Sequence, residues 1–456
     1  MRVLHIISRL GAGGAEQQLR LLLRHVPVRC DVVALAAPGR TAHGIRTDGI
    51  PVTHLPVDGR AGELRALPAL VRTIRSGGYD VVHTHLYRAC VLGRIAARLA
   101  GVRAVIATEH ALGARSVDGR PLSPAVRARY LAAERLGSAT VAVSAAVADR
   151  LRDWGVPNHR IHLVPNGIDA GHFRFAPAAR TAARARLAIP DHAFVVGAVG
   201  RLVAAKRFEV AVRAVAAVPG ARLLLVGEGP ERPALEDLAA RLGAADRIRL
   251  LGERDGAVAP PDDRPAGLPG LLAAMDVLVS PSAEEAFGLA ALEALAAGLP
   301  VLYTVCPALD ELPASAAPAA RRVAPGPAAL ADALRRQLAA GPRRYPVPEK
   351  DRAVRHRPRR PPPHGPLRPR HHLRPGRLPA GPRGGDTDGA RRGARRAHGV
   401  SRRLRTAVRR RAPPGGRAVA AVRTAVSGYD TALAAARPAV RPEKRQPPRK
   451  VPSSDR

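Results

Sequence analysis

The chain has 456 residues, of which 46% are hydrophobic and only 3% aromatic, and its formal net charge is +37. This length and apolar content predict two or three domains with buried cores, and no apolar run reaches the roughly 18–20 residues of a membrane-spanning helix. The three cysteines, Cys30, Cys90 and Cys306, lie far apart, which indicates neither a disulfide framework nor a metal site. Since the N-terminus also lacks a long apolar leader, we expect a reduced, cytoplasmic protein.

Residues 1–165 alternate strand and helix signals. Short apolar strands are predicted at 3–7, 30–36, 52–55, 81–84, 104–108 and 140–143, with helical stretches between them, for example at 64–76 and 91–99. This alternation predicts a parallel, doubly wound sheet. Ligands of such sheets bind at the carboxyl ends of the strands, so residues directly after a strand are the first candidates for a site.

A glycine turn follows the first predicted strand. The sequence GAGGAE at residues 11–16 opens a helix at 17–23 but does not match the G-x-G-x-x-G spacing of dinucleotide sites. Taken alone, it predicts a tight strand-to-helix turn with no ligand.

Histidines end two of the predicted strands. His83 and His85 close the strand in DVVHTH, and His110 closes the next one in TEH. Pairs of histidines bind metals, but no third ligand is evident in the sequence, and a structural role is the alternative for each ring. Ser144 ends a further strand, where it either caps the next helix or touches substrate.

A second domain is predicted after the turn PNG at residues 165–167, which gives domains at 1–168 and 169–345. Its first strand, at 194–199, is followed by Arg201 and Lys206. A guanidinium and an ammonium five residues apart suit a diphosphate, although two solvated surface cations are the alternative. Residues 257–269 are rich in proline and predict an exposed insertion.

Two carboxylates, Glu285 and Glu293, lie within a strand–helix–strand unit at residues 278–302. A helix is predicted from about 287 to 297, and Gly298 ends it before the next strand. If the helix began near Glu285, that residue and Glu293 would lie about 12 Å apart, the length of a sugar diphosphate. Free amides at Phe287, Gly288 and Leu289 would meet an anion there. The alternative is carboxylates placed for the helix dipole and for solvent.

The string EAFGLAALEA at 285–294, followed by AGLPV at 297–301, closely resembles the paired-glutamate motif of bacterial retaining glycosyltransferases of family 4, the group 1 enzymes. Together with Arg201 and Lys206, the resemblance covers about residues 1–345. The sequence has Ala286 where the family usually has glycine. A turn that begins at Cys306 replaces a glycine-containing one, which leaves the donor preference open.

The resemblance implies a GT-B fold, an α/β architecture with two Rossmann-like domains facing a cleft. Arg201 and Lys206 would stabilise a departing diphosphate, and Glu285 and Glu293 would hold sugar and ribose hydroxyls. His110 would contact the donor sugar, and His85 would line the cleft. The catalytic residues implied are His110, Arg201, Lys206 and Glu285. The donor-binding residues implied are Gly13, Gly14, Arg201, Lys206, Glu285, Phe287, Gly288, Leu289 and Glu293, and the loops at 227–230 and 252–255 resemble those beside the nucleobase.

The activity implied is transfer of a sugar from a nucleotide-diphosphate sugar to an acceptor, with retention at the anomeric carbon. The acceptor would be a surface glycan, a lipid-linked intermediate or a small polyol such as an inositol phosphate. No metal or other cofactor and no specific nucleic acid is expected. Peripheral contact with the inner face of the membrane is expected. Two alternatives stay open: nucleotide-sugar epimerisation, and an inactive protein whose basic tail binds polyanions.

The basic tail predicted at 346–456 differs in composition from the rest of the chain. Residues 351–456 hold 29 Lys and Arg against 6 Asp and Glu, and 16 of the 44 prolines. This mixture predicts disorder. It is either a genuine polyanion-binding tail or a segment translated out of frame, and we favour the second reading because the closing helix usual in GT-B enzymes is not recognisable. An intact frame confirmed on independent DNA would contradict it.

Overall fold

The computed structural model describes residues 1–113, 116–118, 120–254 and 267–345. The expectations for the basic tail, and for residues 257–266 of the insertion, lie outside the described residues. In the rest of the chain strands and helices alternate as predicted. Among the described residues, no helix combines the length and the apolar character needed to cross a bilayer.

The first half of the described chain contains one parallel sheet and a small hairpin. Seven strands form the sheet in the order β3-β2-β1-β4-β5-β8-β9, and β6 pairs with β7 in the hairpin. The strands are β1 (Arg2–Ile7), β2 (Arg29–Ala34), β3 (Val52–His54), β4 (Val81–His85), β5 (Ala104–Glu109), β6 (Ser116–Val117), β7 (Arg120–Pro121), β8 (Ala139–Ala142) and β9 (Ile161–Leu163).

Helices connect these strands, as the parallel pairing requires. They are α1 (Gly14–His25), α2 (Arg40–Thr47), α3 (Gly59–Gly77), α4 (Tyr87–Leu99), α5 (Pro124–Glu134) and α6 (Ala145–Trp154). Strand β1 shows why both faces of the sheet are covered. Leu4 and Ile6 enter one apolar cluster, whereas Val3 and Ile7 enter clusters on the opposite face, because successive side chains of a strand point to opposite faces.

The second half contains a six-stranded parallel sheet with the order β12-β11-β10-β13-β14-β15, the doubly wound arrangement of dinucleotide-binding folds. Its strands are β10 (Phe194–Val199), β11 (Ala221–Val226), β12 (Ile248–Leu250), β13 (Val277–Ser280), β14 (Val301–Tyr303) and β15 (Ala320–Arg322). The helices are α7 (Pro177–Arg186), α8 (Phe208–Ala216), α9 (Arg232–Arg241), α10 (Leu268–Ala274), α11 (Leu289–Ala296), α12 (Pro307–Asp310) and α13 (Pro327–Ala340).

The helix between the paired glutamates starts later than the spacing estimate assumed. Helix α11 begins at Leu289, with Gly288 as its N-cap in the left-handed conformation at φ 104°. Glu285 therefore lies in the loop before the helix, and the premise of a helix starting near Glu285 is wrong. The physical reason is Gly288, because its positive φ turns the chain sharply before the helix can begin.

A buried ion cluster attaches helix α7 to the second sheet. Asp276 precedes β13, and its carboxylate accepts hydrogen bonds from Arg180 and Arg184, each at 2.8 Å, and from the amide of Val195 at 2.8 Å. The side chains of Arg184 and Asp276 are each 1% exposed. The carboxylate thus joins the helix to both central strands of this sheet.

We expect Asp276→Ala to lower the free energy of unfolding by about 3–5 kcal/mol, because the buried Arg184 guanidinium would lose its counter-ion. Urea denaturation of the purified protein measures this. The control is Asp332→Ala, which removes an exposed ion pair with Arg335 and should change the free energy of unfolding by no more than about 1 kcal/mol. Equal effects of the two substitutions would contradict the assignment.

Candidate active site

One cavity of about 290 Å³ receives residues from the carboxyl ends of both sheets. In each sheet the strand order reverses beside the first strand, between β1 and β4 and between β10 and β13. Open α/β sheets bind ligands at such switch points. Arg9, Leu86 and His110 line the cavity from the first half, and Arg201 and Ser280 from the second.

Arg201 lies directly after β10, in a loop held by backbone packing. The Gly200 amide donates a hydrogen bond to the Val226 carbonyl at 2.9 Å, and the Leu202 amide donates one to the backbone carbonyl of Glu228 at 2.9 Å. Gly227 lies so close to this loop that an added Cβ would collide with the Gly200 carbonyl oxygen. Within the described residues no hydrogen bond or ion pair holds the Arg201 guanidinium. Burial and the nearby Arg9 lower its pKa. The side chain is thus a partly buried cation without a direct partner among the described residues.

Lys206 ends a 3₁₀ turn, Ala204–Lys206, just before α8. Its ammonium donates to the Glu285 carboxylate, which also accepts a hydrogen bond from the Ser282 hydroxyl at 3.0 Å. The side chains of Lys206 and Glu285 are 24% and 12% exposed. Two of the predicted catalytic residues thus form an ion pair at the cavity wall.

Three residues at the start of α11 line the cavity: Phe287, Gly288 and Leu289. In the part of the chain that the structure describes, the amides of these three residues make no hydrogen bond. An added Cβ on Gly288 would collide with the Cys306 sulfur. The Cys306 turn therefore packs directly against the loop that carries these amides.

Glu293 lies one helical turn further along α11 and also lines the cavity. Burial raises the pKa of its carboxyl group from 4.5 to about 7. No hydrogen bond to this carboxyl is found among the described residues. A half-buried carboxyl group without a donor is receptive to ligand hydroxyls, which would satisfy it.

The glycine turn of the first half faces α11 across the cavity. An added Cβ on Gly14 would lie 3.0 Å from a methyl carbon of Leu289, and an added Cβ on Gly13 would lie 3.1 Å from the Glu16 carboxyl carbon. Glu16 is 2% exposed and pairs with Arg9 at 3.0 Å. Both predicted glycines thus border the cavity, at points where the available space favours glycine.

The two loops that were expected beside the nucleobase lie together at one end of the cavity. Gly227 donates to the Gly252 carbonyl at 2.9 Å, and Glu228, Glu253 and Arg254 line the cavity. The Glu253 carboxylate also accepts a hydrogen bond from the Ala12 amide at 3.1 Å. This contact joins the glycine turn of the first half to the second half.

The histidines differ from expectation in two respects. His110 lines the cavity, but His85 is 1% exposed and does not line it, so that expectation was wrong. The reason is Leu86, which follows β4 with a positive φ of 70°. Leu86 borders the cavity in place of His85. The expectation that these histidines lack a third possible metal ligand was also wrong, because His5 brings a third imidazole from β1. Ligand atoms of His5, His83 and His85 lie within 4.8 Å of one another.

Ser144 caps a helix, which confirms the structural alternative for this residue. Its hydroxyl oxygen accepts a hydrogen bond from the Val147 amide at 3.2 Å at the start of α6. The same hydroxyl donates to the Ala286 carbonyl at 2.6 Å, and the next amide, of Ala145, donates to Glu311 at 2.8 Å. The start of α6 thus binds the second half of the chain beside the paired-glutamate loop.

Sequence reasoning did not single out several residues at the cavity. Arg9 and Leu86 carried no motif, although each follows a predicted strand closely, and that position could have suggested them. Glu253 and Arg254 lie in a loop that was expected beside the nucleobase, but no role was predicted for their side chains. Ser282, which contacts Glu285, lies in the turn before the motif and gave no signal beyond its small size.

Two family profiles match the chain. One described as Glycosyltransferase Family 4 covers residues 12–172, and one described as Glycosyl transferases group 1 covers residues 193–340.

Curated proteins named D-inositol 3-phosphate glycosyltransferase are similar in sequence. The one from Salinispora tropica is 31% identical over 334 residues, which are 66% of this chain and 65% of that protein. The one from Nocardia farcinica is 32% identical over 324 residues, 66% of this chain and 68% of that protein. The one from Geodermatophilus obscurus is 37% identical over 248 residues, 50% of this chain and 52% of that protein. The chain therefore spans about half to two thirds of these relatives.

Solved structures with the same architecture include Anabaena HepE in complex with UDP and glucose. It has a TM-score of 0.64 and 24% identity, and the match covers 74% of this chain and 90% of that one. Sucrose-phosphate synthase from Thermosynechococcus elongatus has a TM-score of 0.59 and 22% identity, with 74% and 90% covered. These likenesses and the two facing parallel sheets define the GT-B fold. The chain belongs to glycosyltransferase family 4.

The raised pKa of Glu293 predicts a pH-dependent stability. Because the folded protein holds the proton more tightly than the unfolded chain does, wild-type stability should fall as pH rises from about 4.5 to about 7. Glu293→Gln cannot ionise, so it should gain up to about 3 kcal/mol relative to the wild type over this window. Urea denaturation of both proteins between pH 4.5 and 8 measures the difference, and parallel stability curves would contradict the prediction.

Proposed function

We propose that the protein is a retaining glycosyltransferase that moves a sugar from a nucleotide-diphosphate sugar to a hydroxyl group of an acceptor. The observation that carries the proposal is a set of unsatisfied positive groups around one cavity. Arg201 has no hydrogen-bonding partner among the described residues, and neither do the amides of Phe287, Gly288 and Leu289. A diphosphate satisfies all of these groups at once.

In this proposal the diphosphate of the nucleotide-sugar donor lies between the Arg201 loop and the start of α11. Charge develops on the diphosphate as its bond to the sugar breaks, and donors already in place stabilise that charge without reorganisation. Arg201 supplies a planar fork and Lys206 a point charge. Since these cations and the helix amides neutralise the leaving group, the proposal assigns no step to a metal ion.

The Lys206–Glu285 ion pair gives both residues a role on binding. An arriving phosphate competes with Glu285 for the Lys206 ammonium, which leaves carboxylate lone pairs of Glu285 available. These would accept hydrogen bonds from the hydroxyls of the donor sugar, which lies beyond the diphosphate. Glu293, further along α11, would accept from the ribose hydroxyls, and His110 would contact the sugar from the first half.

The comparisons favour particular substrates for the first experiments. The Anabaena neighbour is a complex with UDP and glucose, so UDP is the first nucleotide to test for binding, with GDP beside it, and a UDP-hexose is the first donor. The curated relatives are named for inositol 3-phosphate. An inositol phosphate is therefore the acceptor we propose first, before a glycan or a lipid-linked intermediate.

Calorimetric titration of the full-length protein with UDP and GDP tests the donor site. We expect saturable binding of one nucleotide, and a loss of affinity of tenfold or more in Glu293→Ala, because the ribose hydroxyls would lose their acceptor. The control is Glu236→Ala on α9, whose side chain is 49% exposed and does not line the cavity. Failure to bind either nucleotide would overturn the proposal.

We expect Lys206→Ala to lower kcat by about 10²–10³-fold, the usual effect of removing one donor that stabilises transition-state charge. Affinity for the intact donor should fall less than kcat, because the ground state carries less charge at that oxygen. The measurement is steady-state transfer to the acceptor, with Arg213→Ala on the exposed side of α8 as the matched control. Turnover near that of the wild type would contradict the assignment of Lys206.

A further inference from the structure

Three imidazoles form a hydrogen-bonded chain from the core to the cavity. His5 Nδ1 lies 3.1 Å from His85 Nε2, and His85 Nδ1 lies 3.1 Å from His110 Nε2. His5 and His85 are 0% and 1% exposed, whereas His110 lines the cavity. We call these three residues the imidazole chain.

The strand register builds the imidazole chain. In the pairing of β1 with β4, His5 lies beside His83, and Ile7 lies beside His85. His85 in turn pairs with Thr108 of β5, two residues before His110. Because side chains two residues apart share a face of the sheet, all of these rings lie on one face.

Each hydrogen bond in the chain requires one N–H and one lone pair. Burial lowers the pKa of His5 to about 3 and of His110 to about 4, and the pKa of His85 is also well below its ordinary value, with burial as the largest cause. Among the described residues, no carboxylate is ion-paired with any of the three rings. A charged imidazole buried without a counter-ion is unfavourable, so each ring is neutral and carries one ring proton. His85 must then accept at one nitrogen and donate at the other, so the tautomers of the three rings are coupled.

The hydrogen bonds of the imidazole chain can run in two directions, and the nitrogen atoms at its two ends decide between them. His5 Nε2 and His110 Nδ1 are both buried atoms without a hydrogen-bond partner among the described residues. One of them must be an N–H and the other a lone pair. An unsatisfied buried N–H is rarer in proteins than an unsatisfied acceptor, which places the lone pair on His5 in the core. The N–H is then on His110, which is the one of these two end residues that lines the cavity.

We propose that His85 is a positioning residue that holds neutral His110 with its proton on Nδ1. His110 then donates a hydrogen bond to an oxygen of the bound donor and does not accept one. The inference rests on the proposed function, in which His110 contacts the donor. His83 is not one of these three rings: its Nε2 is 2.7 Å from the Thr108 hydroxyl, and its ring packs against His85 with centroids 4.1 Å apart.

The test is nitrogen NMR of the full-length protein labelled with ¹⁵N-histidine, because the ring shifts distinguish a protonated nitrogen from one with a lone pair. The protein has 16 histidines, and His110→Gln assigns the His110 signals by their loss. We expect wild-type His110 to be protonated on Nδ1. A proton on Nε2 would overturn the proposal. This measurement of the His110 tautomer needs no variant at His85.

His85→Phe tests the cause while keeping an aromatic ring in the core. A neutral histidine without such a partner favours the Nε2–H form in water, so the His110 signals should change to that tautomer. We also expect kcat to fall about tenfold, the usual equivalent of one hydrogen bond, with UDP affinity unchanged because UDP lacks the sugar. The matched control is His83→Phe, which also removes a buried imidazole of β4 but should leave the His110 tautomer as it is.

The outcomes separate this inference from the proposed function. UDP binding with His110 protonated on Nε2 would overturn only the inference. Failure to bind any nucleotide would overturn the proposed function, while the His110 tautomer would still be measured. Equal changes of His110 in the two phenylalanine variants would overturn the role of His85. One equivalent of zinc in the purified protein that is lost in His85→Phe would also overturn it, because metal-bound nitrogens carry no proton.

Discussion

A guanidinium that is partly withdrawn from water and lacks a direct counter-ion is the constraint on which the cavity depends. Burial lowers the pKa of Arg201, and only longer-range attraction from Glu16, Asp118 and Glu285 opposes that effect. Such a cation is unfavourable unless an anion arrives to pair with it. The backbone contacts of its loop keep it in place, and the cavity therefore favours an anionic ligand before any ligand is bound.

Close backbone approach at glycines holds the ligand-facing loops in position. Gly227 packs against the Gly200 carbonyl and Gly288 against Cys306, and neither site has room for a side chain. Both glycines also have positive φ angles, 148° and 104°, which other residues adopt only with strain. The Arg201 loop is thus fixed by packing as well as by hydrogen bonds, and the loop that carries the α11 amides is fixed by packing against Cys306.

Much of the fold could be predicted from sequence, because buried parallel strands are short apolar runs. Strands β1, β4, β5 and β10 were predicted to within about one residue at each end. Strands β9 and β15 were not, because IHL and ARR are only partly buried or exposed sheet edges and lack an apolar run.

The candidate site was predictable where one motif carried it, as at Glu285 and Glu293. It was not predictable where residues distant in the chain meet. His5 reaches His85 through strand pairing 80 residues apart, and Ala12 binds Glu253 from 241 residues away. Neither contact leaves a pattern in a single sequence. Placing His85 at the cavity failed for a related reason, since the turn at Leu86 depends on backbone geometry.

The anchoring of the segment between the two sheets has a mechanical consequence. Gln18 of α1 holds Gly167 through two hydrogen bonds, at 2.5 and 3.0 Å, so the chain is tied to the first half up to that residue. Arg180 and Arg184 tie α7 to the second half through Asp276. Among the described residues, only 168–176 lie between these two anchors. A rigid-body rotation of one half against the other would therefore concentrate its dihedral changes there, which makes this segment the hinge of the described chain.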